Sequence, residues 1–252
     1  MKKILILLMT MLLIFGCSSK KDMVKKTPAL EAESVFEQAN EKIDKGYYDE
    51  ARNLLETIKV QDTSGKYATL AQVRIADSYY KEELFEEAIV EYEHFLRVHP
   101  YNKYASYAQY KLAMSYFSRI KTVDVSYSLA QKSLDEFEKL LRVYPRNPYV
   151  NMVENRIRMC KGVLAEYEFY VGHFYYKKGS YEAAAGRFNI LIRKYPHSKK
   201  ESEALYYLGL SYREIGDIEK SLNALTTLVE KYPTIKLAKD AKKLIASINK
   251  HK

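Results

Sequence analysis

Tryptophan is absent from the 252 residues, cysteine occurs twice, proline six times and glycine nine times. Each shortage excludes something. So few turn-forming residues cannot close the many tight turns of an all-β fold, and the composition favours long helices. With only Cys17 and Cys160, no disulfide framework is available to staple an exported domain. Cys160 lies in the helical stretch "ENRIRMCKGVL" and reads as a small buried apolar residue. The histidines, His94, His99, His173, His197 and His251, keep neither H-x-x-x-H nor HExxH spacing, so no metal site is expected. Nor does any serine sit in a G-x-S-x-G or comparable setting, and the carboxylates lie on helical faces beside basic neighbours. The chain therefore reads as a non-enzyme that needs no cofactor. Charge of one sign is not scarce, but it is diluted: 41 basic residues are interleaved with 32 acidic ones for a net +9. That pattern describes a solvated helical surface of mixed sign and not a nucleic-acid binder, while the excess suits acidic partners or an anionic lipid surface.

What is present begins at the N-terminus. Lys2 and Lys3 precede an apolar run from Ile4 to Phe15, too short for the roughly 20 apolar residues of a bilayer-spanning helix. Residues 1–16 are read as a signal peptide. Ile14-Phe15-Gly16-Cys17 resembles a bacterial lipobox, with Phe15 as its one departure, and on that resemblance Cys17 is lipidated and opens the mature chain. Two acyl chains hold a protein stably on its membrane. The other reading, an ordinary secretory signal with a cysteine at its boundary by coincidence, stays open. Ser18, where inner-membrane lipoproteins tend to carry aspartate, implies the outer membrane and a periplasmic orientation. Residues 17–31 are polar, basic and without period, and read as a flexible tether.

Beyond the tether the prolines keep time. Four of them end similar phrases: "EYEHFLRVHP" at Pro100, "EFEKLLRVYP" at Pro145, "RFNILIRKYP" at Pro196 and "ALTTLVEKYP" at Pro233. Twelve residues before each stands a small residue (Ala88, Ser133, Ala184, Ser221) and eight before it a large apolar or aromatic one (Tyr92, Phe137, Phe188, Leu225). This is half of the tetratricopeptide pattern. The other half recurs at a fixed offset as Leu208-Gly209 with Tyr212, Val171-Gly172 with Tyr175, and Ile75-Ala76 with Tyr79. An earlier unit places Ala39, Gly46 and Ala51 correctly, with Thr63 where the proline would stand. The expected fold is an all-α tetratricopeptide-repeat solenoid of five helix-turn-helix repeats with a C-terminal capping helix.

Small residues at Ala39, Ala76, Ala113, Gly172 and Gly209 would let the two helices of each hairpin approach closely. Proline cannot continue the second helix, and the next helix has its own start signals: Asn147 before Pro148, and Ser198 with Glu201 as a capping box. Two spacings exceed the usual period of about 34 residues. Pro100 to Pro145 is 45 residues, because "IKTVDVSYSLAQ" lengthens the turn inside the third repeat; Pro145 to Pro196 is 51, because extra positions from Pro148 extend the helix opening the fourth. One long helix is expected from Pro148 to Lys178. The chain then divides into repeats one to three at 32–147, the bridging helix with repeats four and five at 148–233, and an amphipathic cap at 234–252.

In a solenoid the first helix of each repeat lines the inner wall. At the inward offsets of the first three repeats stand Phe36, Val73, Tyr80, Tyr107, Tyr110 and Phe117. Aromatic rings give large contact area, so a groove for an extended peptide is one reading, and rings that merely plug gaps between repeats are the other.

The lipobox, the repeats with their "YP" ends, the bridging helix and "EYEFYVGHFYYKKGSYEAAAGRFNILIRKYP" at 166–196 together resemble the BamD family. These are the tetratricopeptide lipoproteins of the outer-membrane β-barrel assembly machinery. The resemblance implies a scaffold without cofactor that binds the POTRA region of the barrel-forming subunit through its C-terminal repeats. It also implies engagement of nascent outer-membrane proteins by the N-terminal repeats, in the company of accessory lipoproteins. On that analogy Tyr176, Lys177, Arg187 and Arg213 are candidates for the subunit contact. A lipoprotein scaffolding peptidoglycan, cell-division or pilus-assembly machinery shares the fold and is the alternative.

Overall fold

The computed structural model describes residues 28–62, 65–121 and 126–250. Cys17, the expected signal peptide and the tether up to residue 27 lie outside the described residues, as does Thr63. Eleven helices follow one another among the described residues: α1 (Pro28–Asp44), α2 (Tyr48–Gln61), α3 (Lys66–Lys81), α4 (Phe85–Val98), α5 (Ala105–Ser118), α6 (Tyr127–Val143), α7 (Val150–Lys177), α8 (Tyr181–Lys194), α9 (Glu201–Ile215), α10 (Ile218–Lys231) and α11 (Lys236–Lys250). Each packs against the next, and α1 with α3, α7 with α9 and α9 with α11 also touch. The chain is a tetratricopeptide-repeat solenoid: α1–α2 through α9–α10 are five helical hairpins, and α11 covers the last. Helix α1 takes in residues 28–31, assigned to the tether by composition, because proline is well tolerated in a first helical turn.

The small positions explain why the hairpins close. Ala39, Ala76 and Ala113 have no exposed surface. At Gly172 and Gly209 an added methyl would lie 2.8 Å from the Phe188 ring and 2.6 Å from Leu225 Cγ, so only glycine admits these neighbours. Where the second helix carries serine at its own small position, the hydroxyl donates across the gap: Ser133 Oγ to the Ala113 carbonyl (3.1 Å) and Ser221 Oγ to the Gly209 carbonyl (2.8 Å). Tight approach and a satisfied hydroxyl come from the same short distance.

The helix ends follow local rules. The residues before the four prolines, His99, Tyr144, Tyr195 and Tyr232, all leave the helix with φ between −123° and −132° and ψ between 52° and 64°. Steric conflict with the proline ring pushes the preceding residue out of the α region. Between the two helices of a hairpin, Gly46, Gly179 and Gly216 take left-handed φ, and in the second repeat Glu83 holds that place at φ 64°.

Three local expectations need correction. Ser198 does not cap α9: its hydroxyl is buried without a hydrogen-bond partner among the described residues. Glu201 accepts instead from the His197 N–H (2.7 Å), Lys231 Nζ (2.5 Å) and the Tyr232 hydroxyl (2.5 Å), tying the start of α9 to the end of α10. Asn147 Oδ1 accepts from the Tyr149 N–H (2.8 Å) as a turn, and α7 begins only at Val150. The insertion in the third repeat is shared between the connection and α6, which has 17 residues where the second helices of the other repeats have 14.

Helix α7 is one unbroken helix of 28 residues. Its buried Val153, Cys160 and Leu164 belong to the same apolar cluster as Leu134 and Phe137 of α6 and Phe188 of α8. The packed core is thus continuous across residue 148, where spacing alone suggests a division. Cys160 is buried, and burial pushes its thiol pKa up.

Replacing Gly209 by alanine is expected to destabilise the chain by about 1–3 kcal/mol through overpacking against Leu225. Replacing Glu83 by glycine should stabilise it by about 1 kcal/mol by removing the left-handed strain. Chemical denaturation of both variants checks the opposite signs.

Candidate functional site

The predicted groove positions separate on folding. Val73 is 2 % exposed and sits in the core with Tyr92, Phe95 and Leu112, so it cannot meet a ligand. Phe36 packs on the first apolar cluster with its ring 5.8 Å from that of Tyr67, filling the gap between the first two repeats. The other four converge. Tyr107, Tyr110 and Phe117 lie along one face of α5, at helical spacing. Tyr80 of α3 joins them by a hydrogen bond between its hydroxyl and Ser118 Oγ (3.3 Å).

Folding adds residues that the repeat pattern does not mark. Tyr149, just before α7, stacks on Tyr110 at 4.5 Å and 11° and lies 6.5 Å from the Tyr107 ring. The Lys111 ammonium sits 3.2 Å from the centre of the Tyr80 ring, and the Arg156 guanidinium of α7 lies 4.8 Å from that of Phe117. The result is a half-buried aromatic wall with two cations on it, built from α3, α5 and the start of α7. Lys111 is conspicuous only as a basic residue between aromatic positions; nothing in the sequence pairs Tyr149 or Arg156 with a helix so far back along the chain.

Beneath the wall lies a buried carboxylate. Asp77 is 4 % exposed; its Oδ1 accepts from the hydroxyls of Tyr92 (2.5 Å) and Tyr107 (2.8 Å), and its Oδ2 from Arg74 (3.1 Å). Burial, then the neighbouring Asp77 charge, raises the pKa of both tyrosines, so they remain hydroxyl donors. This network fixes Tyr107 on the wall. Burial also lowers the Lys111 pKa from 10.5 to about 8; Asp77 opposes that shift, and Lys81 and Arg74 add to it.

The candidates of the C-terminal half are less united. Tyr176 packs between Tyr181 and Tyr207, 5.6 and 5.2 Å away ring to ring, and its hydroxyl feels the charges of Glu214 and Arg213. Lys177 is exposed one residue on. Arg213 pairs with Glu214 (2.7 Å). Arg187 is held apart from them by its ion pair with Glu168 (3.2 Å), a carboxylate almost wholly buried. Tyr207 belongs to a second aromatic cluster with Phe169 and His173, with Lys200 over the Phe169 ring. In the same half a cleft of about 390 Å³ is lined by Asn189 of α8, Leu205 and Tyr212 of α9 and Asn223 of α10, among others. Among the described residues there is no cluster of metal-ligating side chains, and no helix is long and apolar enough to cross a membrane.

A family model described as YfiO, outer membrane lipoprotein, matches residues 28–224. Curated proteins named outer membrane protein assembly factor BamD are similar to this chain. That of Caulobacter vibrioides is 25 % identical over 77 % of this chain and 64 % of its own length, so the match spans less than two thirds of that relative. That of Rickettsia prowazekii is 29 % identical over 79 % of both chains, and that of Neisseria meningitidis serogroup A 25 % over 81 % of this chain and 82 % of its own. Among solved structures, the TPR2AB domain of yeast Sti1 in its pHSP90 complex aligns with a TM-score of 0.49 and 14 % identity, covering 88 % of this chain and 86 % of that one. A thermophilic TPR protein of Thermus thermophilus aligns with a TM-score of 0.37 and 15 % identity, covering 86 % and 98 %.

The depressed Lys111 pKa has a definite sign. The cost of burying the charged amine is present in full below about pH 8 and is relieved as pH rises from there toward 10.5, where the unfolded chain still holds its proton. Lys111→Met is therefore expected to be more stable than the parent near neutral pH and to lack that rise in stability. Denaturation curves of the two chains across the window check it; parallel pH profiles would contradict the assignment.

Proposed function

The chain belongs to the YfiO family of outer membrane lipoproteins, and from that premise we propose that it is a non-catalytic scaffold for assembling outer-membrane β-barrel proteins. Its repeats bind and position unfolded client chains beside the barrel-forming subunit. The observation that carries this reading is the wall of Tyr80, Tyr107, Tyr110, Phe117 and Tyr149, which stays half-buried while Val73 is covered in the core behind it. Strands destined for an outer-membrane barrel alternate apolar and polar residues and carry aromatic girdles. Such a strand presents an apolar side chain at every second residue and rings near its ends, and an aromatic wall with hydroxyl tips suits it.

In this reading the exposed side of repeats four and five, with Tyr176, Lys177 and Arg213, meets the POTRA region of the barrel-forming subunit, and accessory lipoproteins complete the assembly. Arg187 is left out, because removing it would strand the buried Glu168. Acylated Cys17 holds the chain on the periplasmic side of the outer membrane. Nothing in the mechanism calls for a cofactor: binding, orientation and local concentration of the client are the whole of it.

Changing Tyr80 and Tyr110 together to alanine is expected to weaken binding of a peptide copied from an outer-membrane strand about tenfold or more, with helix content unchanged by circular dichroism. Unaltered affinity in a folded variant would sink the groove reading. A C-terminally tagged chain recovered from envelope in mild detergent should bring with it a large β-barrel subunit in near-stoichiometric amount. Recovery of peptidoglycan or pilus components instead would favour the alternative scaffold.

A further inference from the structure

We propose that the exposed face of the cap helix α11 is a docking surface for anionic phospholipid headgroups, so that the solenoid meets its membrane at its C-terminal end as well as through Cys17. From the reading above this takes only that the chain works beside a membrane. The charge of the chain is not spread evenly. Residues 32–233 carry 29 basic and 29 acidic side chains and balance, whereas residues 234–252 carry six lysines against one aspartate. More than half of the net +9 therefore sits in the cap.

Helix α11 sorts that charge onto one side. Lys236, Lys239, Lys242, Lys243 and Lys250 are all exposed, and at about 100° per residue they fall within roughly 120° of arc. Leu237, Leu244, Ile245 and Ile248 take the opposite side and pack on the cluster of Leu205, Leu225 and Leu228. The apolar face is thus spent on the fold, and the outer face is left to ammonium groups. None of the five lysines has an ion-pair partner among the described residues, whereas Lys42, Lys45, Lys81 and Lys231 each hold a carboxylate. Asp240, the one acid of the helix, acts instead on the Tyr206 hydroxyl. Lys236, Lys239 and Lys243 stand three and four residues apart, where like charges destabilise a helix. The arrangement costs the fold something, so its use lies outside the fold. An anionic leaflet fits it: headgroups offer a broad field of negative charge that needs no matched shape, and each lysine brought near that field strengthens binding roughly fivefold. With its apolar side packed away, the helix lies on such a surface without inserting. The residues matched by the family model end at 224, so α11 lies outside them.

The test uses the chain from residue 17 onward with Cys17→Ser, so that no acyl group contributes, and follows cosedimentation with vesicles. One set is phosphatidylethanolamine with a minority of phosphatidylglycerol, the other phosphatidylcholine alone. We expect the parent to bind the anionic set and not the neutral one, and to be released by salt. The variant Lys236→Gln, Lys239→Gln, Lys243→Gln, Lys250→Gln should bind the anionic set about tenfold or more weakly, while remaining at least as stable because repulsion is relieved. A matched variant, Arg97→Gln, Arg142→Gln, Lys194→Gln, Lys199→Gln, removes the same charge from exposed positions of the body and should bind like the parent. Helix content and thermal unfolding of both variants are checked in parallel. A cap variant that binds like the parent overturns the proposal, and so do equal losses in the two variants, which mean that net charge alone is read. A parent that ignores anionic vesicles also overturns it, and its retention on immobilised polyglutamate would assign the face to an acidic protein partner. The barrel-assembly reading stands on copurification and peptide affinity, so none of these outcomes alters it.

Discussion

Everything in this solenoid depends on how closely two helices of a hairpin can approach. Ala39, Ala76, Ala113, Gly172 and Gly209 stand where the helices come nearest, and the large residue opposite fills the wedge that the small one leaves. A side chain of ordinary size there would splay the hairpin and lift every following repeat. Because each repeat rests on its neighbours, the error would propagate along the array. The serines of α6 and α10 use the same proximity to satisfy hydroxyls that would otherwise be buried unpaired.

That spacing frees the outer edges of the first helices for other work. Once Val73, Tyr92 and Phe95 fill the space between repeats, the residues one turn away on α3 and α5 are left half-exposed, and these are the aromatics of the wall. Their positions are not loose. Asp77 holds Tyr107 by its hydroxyl, Ser118 holds Tyr80, and Tyr149 stacks on Tyr110. Buried polar groups that are fully paired restrict a surface to one arrangement, which suits the groove proposed for it.

Helix α7 links the two halves. Its first turns bring Arg156 to the wall, and the residue before it supplies Tyr149, while its last turn carries Tyr176, packed on Tyr207 of α9, and the exposed Lys177. The apolar cluster running from α5 to α10 holds this helix along its length. The wall and the aromatic cluster of the C-terminal half therefore share one continuous, packed helix.

The repeat count, the helix ends at the prolines, the small positions, the long fourth-repeat helix and the burial of Cys160 were all legible in the sequence. They depend on residues within one turn or one hairpin of each other, and a fixed period repeats that information along the chain. The same local reasoning misjudged the start of α9, where Ser198 takes no part in a capping box and Glu201 ties the His197 N–H to Lys231 and Tyr232 at the end of a later helix. The wall was legible in part: Tyr80, Tyr107, Tyr110 and Phe117 stood at the inward offset, but so did Val73 and Phe36, and the period cannot say which of them a neighbouring repeat will cover. Tyr149, Arg156 and the pairing of Asp77 with Tyr92 and Tyr107 were settled by tertiary structure alone. Their contacts join residues distant in sequence, and the angle at which one hairpin stacks on the next decides whether such side chains meet.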